Sequence, residues 1–216
     1  MPPPASPLRE RPELPLVYVG GDPSLDLVNT VDWLPGSVEN ERLTSYGRFA
    51  RWAEGARVVS REEAKALRLR SESRRAEAEA ALTRARALRA LLRRAFHEIA
   101  GGGLSGPACG EINEWLSASL ARLGVEPVPR SGRGSVAARW RWRGATDALD
   151  SPLWPIAWSA ARLVTSDESP RLRVCAGPDC GWVYVDRSRN GLRRWCQMKT
   201  CGTAAKTLRR RARRRE

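Results

Sequence analysis

Apolar residues change their spacing along the chain, and the changes mark its elements. The clearest stripe runs from Arg75 to Ala100, where Ala85, Leu88, Leu92, Ala95, Phe96 and Ile99 recur every three or four positions among Arg and Glu. That period predicts an amphipathic helix, and Gly101-Gly102-Gly103 predicts its end. Asp22-Pro23 reads as an N-cap with proline at the first helical position, opening a helix from Ser24 to about Trp33. Thr44–Ala53 reads as a helix whose apolar content is Tyr46, Phe49, Ala50 and Trp52, and Ser60 with Glu63 forms a capping box for the next one. Further helices are predicted near Pro107–Leu123 and from Pro152, the latter with Leu153, Ile156, Ala157, Ala160 and Val164 on its buried face. Between Val136 and Arg143 the period drops to two. Ala138, Trp140 and Trp142 alternate with Arg139, Arg141 and Arg143, which predicts a half-buried strand. Gly132 and Gly134 mark a turn before it, with Val125–Val128 as its hairpin partner. Leu16–Val19 is a short strand candidate ended by Gly20-Gly21, and residues 1–15 read as a flexible, proline-rich tail.

The C-terminal segment follows a different logic. Cys175 and Cys180 form one close pair and Cys196 and Cys201 a second, with fifteen residues between them. Each pair can grip a metal from a tight loop, which is the arrangement a tetrahedral Zn²⁺ site demands. Trp182–Val185 and Leu192–Trp195 read as a hairpin closed by Asp186–Gly191, and Ala204–Arg215 as a helix. Four thiolates would close the coordination sphere, so one structural zinc is expected. Two disulfides are the weaker alternative, since a fifth cysteine, Cys109, is left over far from the cluster.

Charge sharpens this picture. The formal net charge is +14, yet residues 171–216 hold 14 Lys and Arg against 3 Asp and Glu, while the rest of the chain is nearly balanced. The predicted C-terminal helix has one large apolar residue, Leu208, and basic residues on nearly every face. Such a helix gains little from packing and repels itself unless a polyanion neutralises it. Lys206, Arg209, Arg210, Arg213 and Arg214 are therefore expected to meet phosphates, with Arg187, Arg189, Arg193 and Arg194 on the hairpin as a second set. Trp182, Tyr184 and Trp195 could stack on bases, but a mini-core for the small metal domain is the better reading.

CAGPDCGWVYVDRSRNGLRRWCQMKTCGTAAK closely resembles the CGNR zinc finger, a bacterial DNA-binding module. Upstream, LVYVGGDPSLDLVNT, the W-x-W strand and SPLWPIAWSAARLVTS resemble the ABATE domain that precedes it. The resemblance implies a stress-related transcription regulator, with zinc carried onto Cys175, Cys180, Cys196 and Cys201. The motif that names the finger, Cys-Gly-Asn-Arg, here reads Cys201-Gly202-Thr203-Ala204, so contacts made by the Asn and Arg in relatives do not carry over. Thr203 is a candidate to cap the helix.

The expected protein is thus α+β. A mainly helical domain with a small β-hairpin occupies 16–168 and senses a ligand or dimerises. A treble-clef-like zinc finger with a basic helix occupies 171–216. No catalytic set is visible, because the only histidine, His97, lies off its helix's apolar stripe and reads as a solvated surface residue. Asp26, Asn29 and Thr30 are candidates for a ligand pocket, and the tryptophans of the helical domain suggest a small apolar ligand or a homodimer. DNA is the expected partner, with RNA as the alternative. No apolar run nears the ~18 residues of a membrane span, so a cytoplasmic, nucleoid-associated location is expected.

Overall fold

A computed structural model describes residues 13–34, 37–128, 137–177 and 180–214. The elements in chain order are α1 (Pro23–Val28), β1 (Val31–Leu34), β2 (Ser37–Glu41), α2 (Tyr46–Gly55), α3 (Arg61–Ser73), α4 (Arg75–Ala100), α5 (Gly106–Leu120), β3 (Leu123–Pro127), β4 (Ala138–Trp142), α6 (Leu153–Val164), β5 (Leu172–Val174), β6 (Val183–Val185) and α7 (Thr203–Ala212). The fold is α+β and mainly helical. Its strands form three separate antiparallel pairs, β1 with β2, β3 with β4 and β5 with β6.

The long helix is the axis. α4 forms as its spacing predicts and packs against α1, α2, α3, α5, α6 and both strands β5 and β6. Leu82, Leu88, Leu92 and Phe96 are fully buried along it, each side chain worth about 1.5–3 kcal/mol of transfer free energy. The predicted capping box at α3 is present, Ser60 and Glu63 each accepting from the other's backbone N–H. A bidentate ion pair ties α4 to β2: Arg89 donates to both Glu41 oxygens and also to Thr30 Oγ1. Burial alone would raise the Glu41 pKa, but Arg89 outweighs it and holds the carboxyl below its usual range.

Four expectations need correction. The first helix ends at Val28, not near Trp33, because Asn29 closes it and the chain turns into strand β1. Leu16–Val19 runs without forming a strand. Of the segment read as a tail, Glu13–Pro15 are docked: Arg48 pairs with Glu13 at 2.8 Å and donates to the Leu14 carbonyl, and Arg42 donates to the Pro15 carbonyl at 3.2 Å. Residues 1–12 of that reading, like the turn at Gly132 and Gly134, lie outside the described residues. Finally, β4 pairs with β3 as expected but is not half-buried. Trp140 is 72% exposed and sits opposite Val125, itself 64% exposed, while only Trp142 at the end of that face is half-buried, beside Trp154. Arg139 and Arg141 both engage Glu126 on the neighbouring strand.

The core does not stop at the boundary drawn near residue 170. Leu172 of β5 and Val183 and Val185 of β6 belong to the same buried cluster as Leu25, Phe49, Phe96 and Ile156.

Candidate metal centre and nucleic-acid interface

The cysteine loops are placed by a hairpin, though not the expected one. β6 pairs with β5 in the register Leu172↔Val185, Arg173↔Tyr184 and Val174↔Val183, and the ladder continues as Cys175 N–H donates to the Trp182 carbonyl at 2.8 Å. Cys175 and Cys180 therefore lie in the loop that closes β5–β6. Leu192–Trp195 forms no strand and is held to the first loop by a single bond, from Ala176 N–H to the Arg194 carbonyl. The second pair follows: Cys196 precedes and Cys201 lies within one π-helical turn, Met198–Gly202, that runs into α7.

All four sulfurs lie within 4.8 Å of one another, with Cys180 to Cys196 and Cys196 to Cys201 both at 3.6 Å. A tetrahedron with Zn–S bonds near 2.3 Å has edges of about 3.8 Å, so the cluster is already close to the size of a zinc site. Cys175 Sγ accepts from Cys196 N–H at 3.2 Å and Gly177 N–H at 3.4 Å, the hydrogen bonds expected around a metal-bound thiolate. Hydrogen bonds from the Cys180 and Cys196 thiols pull Cys175 down, and the same contacts to Cys175 push Cys180 and Cys196 far up. Four thiols packed this tightly cannot all ionise without a cation at their centre, and a dication supplies it. The donor set and spacing fit one structural Zn²⁺, with all four positions filled by protein. A Cβ on Gly177 would sit 3.1 Å from Cys201 Sγ, so any larger residue there would press on the cluster by a few tenths of an ångström.

Around the cluster, Trp182 and Tyr184 are core residues. Tyr184 is fully buried and donates to the Arg193 carbonyl at 2.7 Å; Trp182 Nε1 donates to the Val31 carbonyl at 3.0 Å. Trp195 is half-buried beside them. Asp186 organises the following loop, accepting from Ser188 N–H and Oγ and from Arg193 N–H, and these bonds, from Ser188 first, hold its carboxyl below the usual range.

The expected basic sets divide. Arg187 is bound to Glu168 in a bidentate pair, at 2.5 and 2.7 Å, and donates to the Gly21 carbonyl. Arg193 lies 4.1 Å over the Tyr184 ring and donates to the carbonyls of Trp195 and Cys196. Arg187 is nonetheless exposed and Arg193 half-buried, so their donors are shared with partners inside the protein. Arg189 and Arg194 remain exposed. α7 buries no side chain, and Lys206, Arg209, Arg210 and Arg213, at positions i, i+3, i+4 and i+7, line one face of it, with Arg214 one step further. Among the described residues none of these five has an ion pair. Thr203 does not cap α7; its Oγ1 donates back to the Met198 carbonyl at 3.1 Å.

The ligand-pocket candidates are likewise engaged within the fold. Asn29, fully buried, donates to the Val183 carbonyl at 2.8 Å and accepts from Val183 N–H at 2.9 Å. Asp26 accepts from Gly20 N–H, and burial raises its pKa to about 6. Thr30 bridges the Leu27 carbonyl and Arg89. These bonds fasten α1 and the turn after it to their neighbours. His97, expected to be solvated, is half-buried with Nε2 3.2 Å from the Gly181 carbonyl in the finger, and its pKa is lowered by burial and by Arg93. No spacing or motif signals these contacts between the finger and the helices, which join residues far apart in the chain. No described helix is long and apolar enough to cross a membrane.

Two family models match the chain. One, ABATE, described as "putative stress-induced transcription regulator", matches residues 21–167, and the CGNR zinc finger matches residues 171–214. Neither description is of an enzyme. No curated protein matches.

Proposed function

The chain belongs to the ABATE family, with a CGNR zinc finger at its end, and we propose that it is a zinc-dependent DNA-binding transcriptional regulator of the cytoplasm, acting at the nucleoid. In this reading the helical domain senses a ligand or dimerises, and the finger carries the contacts to DNA. The observation that carries the proposal is α7, a helix with no buried side chain, rooted in the four-cysteine cluster and presenting Lys206, Arg209, Arg210, Arg213 and Arg214 on one face. A fold keeps such a helix against its own repulsion when a polyanion completes it. Arg189 and Arg194 extend the surface.

The test is binding of the zinc-loaded full chain to genomic duplex fragments and to total RNA at one fixed salt concentration. Duplex DNA is expected to bind more tightly. If about six phosphates are engaged, the log–log salt slope should lie near −5, at about −0.9 per phosphate, and a triple variant Arg209→Ala, Arg210→Ala, Arg213→Ala should lessen it by nearly 3. A preference for RNA, or a slope unchanged in the triple variant, would remove the proposal.

A further inference from the structure

A second feature shares no residue with the cysteine cluster. Between the end of α2, strand β4 and helix α6 there is a cleft of about 490 Å³. This volume falls within the range typical of small-molecule sites, about 300–1,000 Å³. Two indoles form walls, Trp142 from β4 and Trp158 from α6, both half-buried. Four charged groups reach the cleft: Arg57, Arg162, Asp22 and Glu168.

The two acids are already satisfied. Asp22 accepts from Ser24 N–H at 2.8 Å, Ser24 Oγ at 2.5 Å and Ser159 Oγ at 2.7 Å, and Glu168 is held by Nε and Nη2 of Arg187. The two arginines are exposed, and among the described residues neither guanidinium has a hydrogen bond or an ion pair, so both are free to meet an anion in the cleft.

Arg57 adds an independent sign. It is the only non-glycine among the described residues in the left-handed region, with φ of 60°. It follows the end of α2, where Arg57 N–H bonds the Glu54 carbonyl and Val58 N–H the Ala53 carbonyl. That helix stop favours glycine, because a Cβ is costly in this conformation. Arginine occupies this stop despite that cost, and its side chain reaches the cleft.

We propose that this cleft binds a small aromatic carboxylate, its ring against Trp142 and Trp158 and its carboxylate between Arg57 and Arg162. Guanidinium forks match a carboxylate in geometry and charge, and indole faces match an aromatic ring. A monoanion is favoured over a phosphate dianion because Asp22 and Glu168 remain in the wall. The site gives a ligand class to the sensing half of the proposed function, and it rests on that reading only for its consequence at DNA. That consequence has a path. Glu168 in the wall of the cleft is the residue that holds Arg187 of the finger loop, so a carboxylate bound beside it adds a like charge next to that tether.

The experiment measures ligand binding to the zinc-loaded full chain without DNA, so it stands whether or not DNA binding does. Indole-3-acetate and 2-naphthoate are titrated by calorimetry, alongside their neutral amides. One saturable site per chain is expected, with the amides weaker by about tenfold or more, the scale of a charge-assisted hydrogen bond. Arg162→Gln and Arg57→Gly should each weaken the acids by a similar factor. Arg57→Gly should also unfold no earlier than the parent, since glycine relieves the backbone; that pairing of lost affinity with unreduced stability is not expected of a structural residue. Equal binding of acid and amide, no saturation by either acid up to about 5 mM, or parental affinity in both variants overturns the proposal.

Discussion

Replacing Asn29 by alanine should loosen the whole chain, not merely a ligand pocket. Its carboxamide makes two buried hydrogen bonds to one residue of the finger, the Val183 carbonyl at 2.8 Å and the Val183 N–H at 2.9 Å. Asn29 has no exposed surface and Val183 retains 1%. Alanine would remove both partners and leave two main-chain groups unsatisfied where water has no entry. Each such group costs about 1–3 kcal/mol, so a loss of about 4 kcal/mol is expected. Asn29→Asp separates the two bonds. It keeps an acceptor for the Val183 N–H but sets a carboxylate oxygen against the Val183 carbonyl, and should be at least as damaging at neutral pH. Urea denaturation of the zinc-loaded chain, followed by tryptophan fluorescence and circular dichroism together, measures both. With a slope of about 3 kcal/mol/M for a chain of this size, the midpoint should fall by more than about 1 M. A loss below about 1 kcal/mol for Asn29→Ala would refute the reasoning and return Asn29 to the role of a ligand contact.

Cys175→Ser should reduce bound metal from one zinc per chain to none by elemental analysis. Because Leu172, Val183 and Val185 lie in the main core, helical signal should melt earlier as well; a lost finger with an unchanged helical melt would contradict the shared core. Asp26 sets a pH dependence. Burial raises its folded pKa to about 6 from 3.8, so the native state holds this proton more tightly, and the stability it contributes below about pH 4 is lost as pH rises through 6. Asp26→Asn should therefore gain on the parent between pH 4 and pH 7 by up to about 3 kcal/mol in paired urea melts; a difference independent of pH would sink the assignment.

Much of this architecture is legible in the sequence, for reasons that also explain the omissions. α4 is legible because one buried face imposes a stripe over many turns, and the cysteine cluster because a metal fixes ligand number and loop length. The end of α1 is not, because Val28 and Val31 continue a helical spacing while the stop comes from Asn29, whose side chain answers to a residue 154 positions away. The finger's hairpin is hidden for a related reason. Leu172 and Val174 alternate with Arg173, which is a strand period, but the run is only three residues long. The basic set shows the same limit. Arg187 and Arg193 look like their neighbours in composition, and only tertiary structure separates those bound to Glu168 and to backbone carbonyls from those left free on α7.

That separation bears on how the finger can be regulated. The finger is docked on the helices by contacts that are mostly neutral: Asn29 with Val183, Trp182 Nε1 with the Val31 carbonyl, His97 with the Gly181 carbonyl, and the apolar faces of β5 and β6 on α4. Two charged contacts join them, Arg42 at 5.0 Å over the Trp182 ring and Arg187 with Glu168. Arg42 is buried and already paired with Asp32, so salt reaches it poorly. Arg187 and Glu168 are about half exposed, and a pair of that kind is worth about 1 kcal/mol at most. The contacts proposed to DNA are of the opposite sort, unpaired cations on an open helix, whose affinity falls steeply with ionic strength. Docking and DNA binding therefore respond differently to salt. Raising it should strip DNA from α7 while the finger stays seated, and the one docking contact weak enough to be shifted by a small ligand is the Arg187 tether beside the tryptophan cleft.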